Sequence, residues 1–169
     1  MTRGMRDLLH DLARAKAEAL AEAGATVADT PAAAVAQADL VITMLEHGGV
    51  VNEVLFSPDL PGAAQGLRPG SLVVDMSSIL PEQAQDHARR LAELGVQALD
   101  APVSGGTLGA EAGTLAIMAG GEAADFERAR EVLSVLGRPV HVGPAGSGQL
   151  TKLANQMIVG ITIGAVDEA

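Results

Sequence analysis

The sequence of 169 residues contains no cysteine. Disulfide bonds, catalytic thiolates and cysteine-ligated metal sites are therefore excluded. A chain without cysteine fits a reducing compartment, and we expect a cytoplasmic protein. The histidines are scattered without the spacing of metal ligands, so we expect no metal site. They are His10, His47, His87 and His141.

Aromatic and basic residues are also scarce. Tryptophan and tyrosine are absent, Phe56 and Phe126 are the only aromatic residues, and the formal net charge is −10. Phosphate backbones need a basic face and single strands need aromatic stacking platforms, so we expect no nucleic-acid partner. The most apolar run, residues 157–166, is shorter than the ~20 residues of a membrane-spanning helix, so we expect no membrane partner.

Apolar runs alternate with amphipathic segments along the chain. Five runs predict strands because they are apolar on both faces. They are residues 39–45, 71–76, 96–103, 114–120 and 138–143. Apolar residues three and four apart predict helices over 6–23, 81–94 and 122–136, and Thr30 before Pro31 predicts the start of another. This alternation is typical of an α/β fold with a largely parallel sheet.

Three of the predicted strands lead into stretches dense in small and polar residues. These stretches are TMLEHGG, DMSSILP and DAPVSGG, which belong to the runs at 39–45, 71–76 and 96–103. Open α/β sheets bind ligands at the carboxyl ends of their strands. We therefore expect a ligand site where these three ends meet.

The third of these stretches contains a candidate anion cradle. Ser104 offers a hydroxyl, and Gly105 and Gly106 have no side chains to keep a ligand from their N–H groups. Such a group of donors suits a carboxylate. The alternative is a flexible glycine-rich turn without a ligand.

The stretch GPAGSGQLTKLANQ, residues 143–156, places Lys152 in a run otherwise free of charge. A glycine-rich turn precedes a predicted helix, on which Lys152 and Asn155 are three residues apart and share one face. A lysine desolvated in a cleft has a lowered pKa and can donate or accept a proton. Asn155 can hold the same ligand oxygen. The alternative is a solvated lysine beside a surface amide.

Four stretches together resemble the β-hydroxyacid dehydrogenase family, which includes 3-hydroxyisobutyrate dehydrogenase and tartronate semialdehyde reductase (2-hydroxy-3-oxopropionate reductase) and is related to 6-phosphogluconate dehydrogenase. They are AKAEALAEAGATVADTPAAAVAQADLVITML, VVDMSSILP, DAPVSGGTLGAEAGTLAIMAGG and GPAGSGQLTKLANQMIVG. The resemblance implies a Rossmann-like, doubly wound α/β fold. It also implies an oxidoreductase that uses NAD or NADP to interconvert a small 3-hydroxy acid and its semialdehyde.

The same resemblance implies roles for the matching residues. Lys152 would protonate the carbonyl oxygen as hydride arrives, and Asn155 would orient that oxygen. Ser104, Gly105 and Gly106 would hold the substrate carboxylate. The cofactor would be lined by Thr43, Met44, Leu45, Ser77 and Ser78. Imine-reducing relatives typically replace the lysine, so Lys152 argues against imine reduction.

The chain departs from the family pattern at both ends. Gly4 is the only glycine before residue 24, so no G-x-G-x-x-G turn is present there. We expect the fold to lack its first βαβ unit and the pyrophosphate cradle which that turn provides. The expected domains are an incomplete NAD(P)-binding domain over residues 1–145 and, over 146–169, the start of an interdomain helix. In relatives this helix leads into an all-helical domain.

The segment 146–169 also predicts self-association. Its apolar residues have no predicted cover, so we expect a homo-oligomer formed through this helix. A non-catalytic fragment or an oligomerising module is the alternative to an active enzyme. The sequence leaves the choice between NAD and NADP open.

Overall fold

The computed structural model describes residues 8–9, 14–22, 24–59 and 61–168. Eight strands lie in these ranges: β1 (Leu8–Leu9), β2 (Thr26–Val27), β3 (Leu40–Thr43), β4 (Leu72–Asp75), β5 (Gln97–Asp100), β6 (Val103–Ser104), β7 (Leu115–Gly121) and β8 (Gly137–Gly143). The helices of the same ranges are α1 (Arg14–Ala21), α2 (Pro31–Val35), α3 (Gly48–Phe56), α4 (Ala63–Gly66), α5 (Pro81–Ala92), α6 (Gly106–Glu111), α7 (Ala123–Leu136) and α8 (Ser147–Asp167).

The main sheet is mixed and has six strands. β3, β4 and β5 are parallel neighbours, whereas β7 is antiparallel to β5 and β6 and parallel to β8. β5 and β6 meet β7 in one continuing register: Asp100 is opposite Gly120 and, three positions on, Val103 is opposite Ile117. They behave as one strand interrupted at Pro102, which has no N–H to donate. The predicted α/β fold with a largely parallel sheet is confirmed.

The helix predicted over residues 6–23 is wrong in its first part. Leu8–Leu9 is a short strand, parallel to Thr26–Val27, and the helix begins only at Arg14. Two adjacent leucines fit a strand as well as a helix stripe, because short apolar runs do not distinguish the two. A small βαβ unit is therefore present as a separate two-stranded sheet. Gly4 lies outside the described residues.

Apolar side chains pack on both faces of the main sheet. β4 is buried throughout, with Leu72 and Val74 in one cluster and Val73 in the other. The helices complete both clusters along the predicted stripes: Phe126, Ala129 and Leu133 of α7 on one face, and Ala84 and Leu91 of α5 on the other. A buried valine or leucine contributes roughly 1.5–3 kcal/mol. This packing fixes the strand ends relative to the helices.

Helix α8 is 21 residues long and packs on the sheet only through its first turns. Gly148 and Gln149 are buried, whereas every residue from Gln156 to Glu168 is exposed. No helix within the described ranges is long and apolar enough to span a bilayer. The start of α8 is therefore the part whose position the main sheet determines.

Candidate functional site

The carboxyl ends of the three parallel strands form one edge. Thr43, at the end of β3, is the register partner of Asp75 on β4, and Asp75 is the partner of Asp100 on β5. The three final residues therefore lie side by side across the sheet. The prediction that the polar strand ends meet is confirmed.

Asp75 orders the first part of this edge. One of its carboxylate oxygens, Oδ1, accepts hydrogen bonds from the Thr43 hydroxyl at 2.8 Å and the Ser77 N–H at 3.1 Å. The Ser77 hydroxyl in turn accepts a bond from the Leu45 N–H at 2.9 Å. These bonds hold the turn after β3 against the turn after β4.

The five residues expected to line a cofactor differ in exposure. Thr43 is 8% and Ser77 0% exposed, and both hydroxyls are used in bonds within the protein. Leu45 is half-buried, whereas Met44 is 64% exposed and Ser78 is exposed as well. Met44 and Ser78 thus present side chains at the edge, and the other three shape it.

The Ser104–Gly105–Gly106 stretch turns sharply from β6 into α6. Gly105 and Gly106 have φ angles of 140° and 63°, a region that residues with side chains rarely adopt. Space is open beside Gly106, where an added Cβ would meet no atom within 4 Å. The two glycines are therefore required by the backbone, and the structure leaves room for a ligand beside the second.

The carboxylate of Asp100 holds the start of α8. Its Oδ1 accepts from the Gly146 N–H at 2.7 Å and its Oδ2 accepts from the Gln149 N–H at 2.9 Å. The first N–H groups of a helix have no partner inside the helix, and a negative charge there is favourable. Burial raises the pKa of Asp100, while the backbone donors of Gly146, Gln149 and Gly148 oppose that rise. Asp100, at the end of β5, thus caps the N-terminus of α8.

Close backbone contact at Gly148 makes this capping possible. An added Cβ at Gly148 would collide with the carbonyl oxygens of Met118 and Asp100. Only glycine lets the first turn of α8 approach β5 and β7 this closely. The glycine-rich spacing before Lys152 therefore has a packing reason.

Gln149 links α8 to the loop after β4. It is 1% exposed; its Oε1 accepts from the Ile79 N–H at 3.1 Å and its Nε2 donates to the Ser77 carbonyl at 2.8 Å. Both ends of its amide are therefore satisfied within the protein. Gln149 joins the edge formed by Thr43 and Ser77 to the helix that bears Lys152.

Lys152 and Asn155 face β6 from α8. The Lys152 Nζ donates to the Val103 carbonyl at 2.7 Å, and the Asn155 Nδ2 lies 3.5 Å from the Ser104 Oγ. Both side chains are half-buried. Partial burial lowers the pKa of Lys152. The structure thus brings Lys152, Asn155 and Ser104 together, next to the Gly105–Gly106 turn.

Sequence reasoning missed three residues that organise the site: Asp75, Asp100 and Gln149. Each stands inside a stretch that the sequence analysis quoted. Two aspartates at consecutive strand ends were the available signal, because buried carboxylates need partners. In the part of the chain that the structure describes, no three histidine or acidic side chains are placed to hold a metal ion.

Comparison with known proteins defines the family. Residues 1–146 match the model of the NAD binding domain of 6-phosphogluconate dehydrogenase. The chain therefore belongs to this family of NAD-binding domains.

Named relatives are similar over nearly the whole chain. The 2-hydroxy-3-oxopropionate reductase of Escherichia coli (strain K12) is 42% identical over 90% of this chain and 52% of its own length. The 3-hydroxyisobutyrate dehydrogenase of Pseudomonas aeruginosa is 40% identical over 98% of this chain and 55% of its own. The structure of Mycobacterium tuberculosis 3-hydroxyisobutyrate dehydrogenase with L-serine has a TM-score of 0.88 and 37% identity, covering 96% and 54%. The chain spans about half the length of these relatives.

Replacing Asp100 by asparagine should loosen the start of α8. The amide NH₂ would face one of the two N–H donors, so we expect a loss of about 1–3 kcal/mol in the free energy of unfolding. Urea denaturation measures this loss, and amide hydrogen exchange at Gly146 and Gln149 should accelerate. Glu127→Gln is the control, since its carboxylate is exposed and its loss should stay within about 0.5 kcal/mol. Equal stability of the two variants would contradict the capping role.

Lys152 should release its proton at a lower pH than an ordinary lysine. Burial disfavours the ammonium form, so the folded-state pKa lies below the usual 10.5. The sequence has only two lysines, Lys16 and Lys152, so ¹³C-methylation of the amines gives few NMR signals. Lys152→Arg assigns the relevant one. A titration midpoint at or above the ordinary value would show that the amine is solvated.

Proposed function

We propose that this chain carries the cofactor edge and the proton-transfer residue of an NAD(P)-dependent 3-hydroxyacid dehydrogenase or reductase. The substrate pair is a small 3-hydroxy acid and its semialdehyde, of the 3-hydroxyisobutyrate or 2-hydroxy-3-oxopropionate type. One observation carries the proposal: Lys152 and Asn155 converge on Val103 and Ser104, beside the two glycines with positive φ. This arrangement combines a partly desolvated amine with an open backbone turn.

The edge formed by β3 and β4 supports cofactor binding. Met44 offers an exposed apolar side chain and Ser78 an exposed hydroxyl, a combination that fits the ring and ribose of a dinucleotide. Thr43 and Ser77 would hold this edge in shape through their bonds to Asp75, and Leu45 through the bond of its N–H to the Ser77 hydroxyl. A bound nicotinamide supplies or accepts the hydride in this chemistry.

The substrate would lie between β6 and α8. The Ser104 hydroxyl and the N–H groups of Gly105 and Gly106 would hold its carboxylate. Asn155, at 3.5 Å from the Ser104 Oγ, would orient the carbonyl oxygen. The long Asn155–Ser104 distance leaves the amide available to a stronger acceptor.

Lys152 would move the proton. In reduction its ammonium would donate a proton to the carbonyl oxygen, and in oxidation the neutral amine would take the proton from the hydroxyl. A lowered pKa suits this role because both forms must be reachable near the working pH. The Val103 carbonyl holds the amine at the site until an oxygen of the substrate replaces it as acceptor.

Lys152→Ala should separate binding from chemistry. The variant keeps the β3–β4 edge, so we expect calorimetric titration with NADH and NADPH to give nearly the same affinity as the parent chain. Semialdehyde reduction should fall about 10²- to 10⁴-fold, the usual contribution of a positioned proton donor. Turnover equal to that of the parent would rule out the assigned role of Lys152. A folded parent chain that binds neither cofactor would count against the proposed function as a whole.

We propose further that two copies associate through the exposed part of α8. Met157, Ile158 and Ile161 are 68%, 66% and 70% exposed, and their spacing places them on one side of α8. A second copy offers the same apolar surface, which is self-complementary about a two-fold axis. This contact is also what the alternative function, a non-catalytic oligomerising module, would use.

Ile161→Glu should weaken this association. A buried unpaired carboxylate is costly, so the variant should shift the mass in light scattering toward the monomer over a concentration series. Val135→Glu is the matched control, because Val135 is 75% exposed and lies on a different helix, α7. A monomeric parent chain at every concentration would refute the proposed contact.

A further inference from the structure

A small cavity lies behind the cofactor edge, between β4, β5 and α5. Most of its lining is apolar, and its ionisable members are Asp75, His87 and Asp100. The volume of the cavity that is open to the centre of a water molecule is about 20 Å³. One water molecule needs about 10–15 Å³ by that measure. The cavity therefore has room for one water molecule.

Two buried polar atoms lack a partner at this place. Asp75 is 7% and His87 is 6% exposed. Neither the Asp75 Oδ2 nor the His87 Nδ1 has a hydrogen-bond partner among the described residues. Buried polar atoms are nearly always bonded to protein or to ordered water, so both atoms call for an explanation.

The surroundings fix both groups in place. The Asp75 Oδ1 is occupied by the Thr43 hydroxyl and the Ser77 N–H, which prevents the carboxylate from turning freely. The His87 ring packs on Phe56 with 5.6 Å between ring centres. Neither side chain can easily rotate toward another partner. A hydrogen-bond partner for these two atoms must therefore lie in the cavity itself.

We propose that one ordered water molecule occupies this cavity and bridges the Asp75 Oδ2 and the His87 Nδ1. The water donates one hydrogen bond to the carboxylate oxygen and forms a second hydrogen bond with the ring nitrogen. Two protein partners are the minimum that a buried water requires. The bridge gives Asp75 partners on both oxygens.

The bridge makes Asp75 and His87 positioning residues of the edge. The Asp75 Oδ1 orients the Thr43 hydroxyl and the Ser77 N–H. The water molecule holds the same carboxylate through its Oδ2. Loss of the bridge leaves a buried carboxylate oxygen without a partner, which destabilises the folded arrangement of the edge. The water site does not depend on the proposed function; only the assignment of this edge to a cofactor does.

A crystal structure of the full chain that resolves ordered water tests the bridge directly. Density within hydrogen-bond distance of both atoms is expected, and it should be missing in His87→Leu. Absence of density in the parent chain, or a direct bond between Asp75 and His87, would overturn the proposal.

A double-mutant cycle tests the coupling in solution. Asp75→Asn and His87→Leu should each lower the folding equilibrium constant by some factor. In the double variant the constant should fall by less than the product of those two factors. Asp75→Asn with His141→Leu is the matched control, because His141 lies on β8 outside the cavity and should combine multiplicatively. If the factors for Asp75→Asn and His87→Leu also multiply in their double variant, the two residues are not coupled and the bridge is contradicted.

A conservative variant separates positioning from packing. His87→Gln retains a polar group for the water, so it should recover most of the coupling that His87→Leu loses. The ¹⁵N shift of His87 Nδ1 should also respond to Asp75→Asn. No recovery and no shift would show a packing role alone. If no variant or parent chain binds NADH, the proposed function fails, while these readouts still decide the bridge.

Discussion

The carboxylate of Asp100 at the start of α8 is the interaction on which the site depends. It is 5% exposed, and its two oxygens accept from N–H groups 46 and 49 residues further along the chain. A buried charge without partners costs several kcal/mol, so the fold must keep these donors in place. The helix is thereby fixed in both position and rotation. That rotation directs Lys152 and Asn155 toward β6.

Gln149 extends the same constraint to the other half of the edge. Its backbone N–H bonds to Asp100 while its side chain bonds to Ser77 and Ile79. One residue thus fixes α8 relative to both β5 and the loop after β4. Since Ser77 also bonds Leu45, a continuous set of buried bonds runs from the end of β3 to the helix with the lysine. The two parts of the candidate site cannot move independently without breaking one of these bonds.

Periodicity and composition were enough to predict the strands of the main sheet, helices α5 and α7, and the meeting of the strand ends. The glycine-rich turn and the shared face of Lys152 and Asn155 were also readable, because both depend on short spacing. The pairings of Asp100 and Gln149 were not, since they join residues distant in sequence. Leu8–Leu9 was misjudged because two residues carry no periodicity. Thr43 and Ser77 are buried and their hydroxyls bond Asp75 and Leu45, each 32 positions away in sequence, whereas Met44 and Ser78 are exposed.

The environment of Lys152 shows why the lysine lies in an uncharged run. Partial burial disfavours its ammonium form, while the Val103 carbonyl, at 2.7 Å, accepts a bond from it. A carboxylate in place of that carbonyl would form an ion pair and stabilise the charged amine. With a neutral acceptor in place of a carboxylate, no ion pair opposes the lowering of the Lys152 pKa by burial. The same fixed helix that places the amine also supplies the low-charge surroundings, so geometry and acidity have one structural origin.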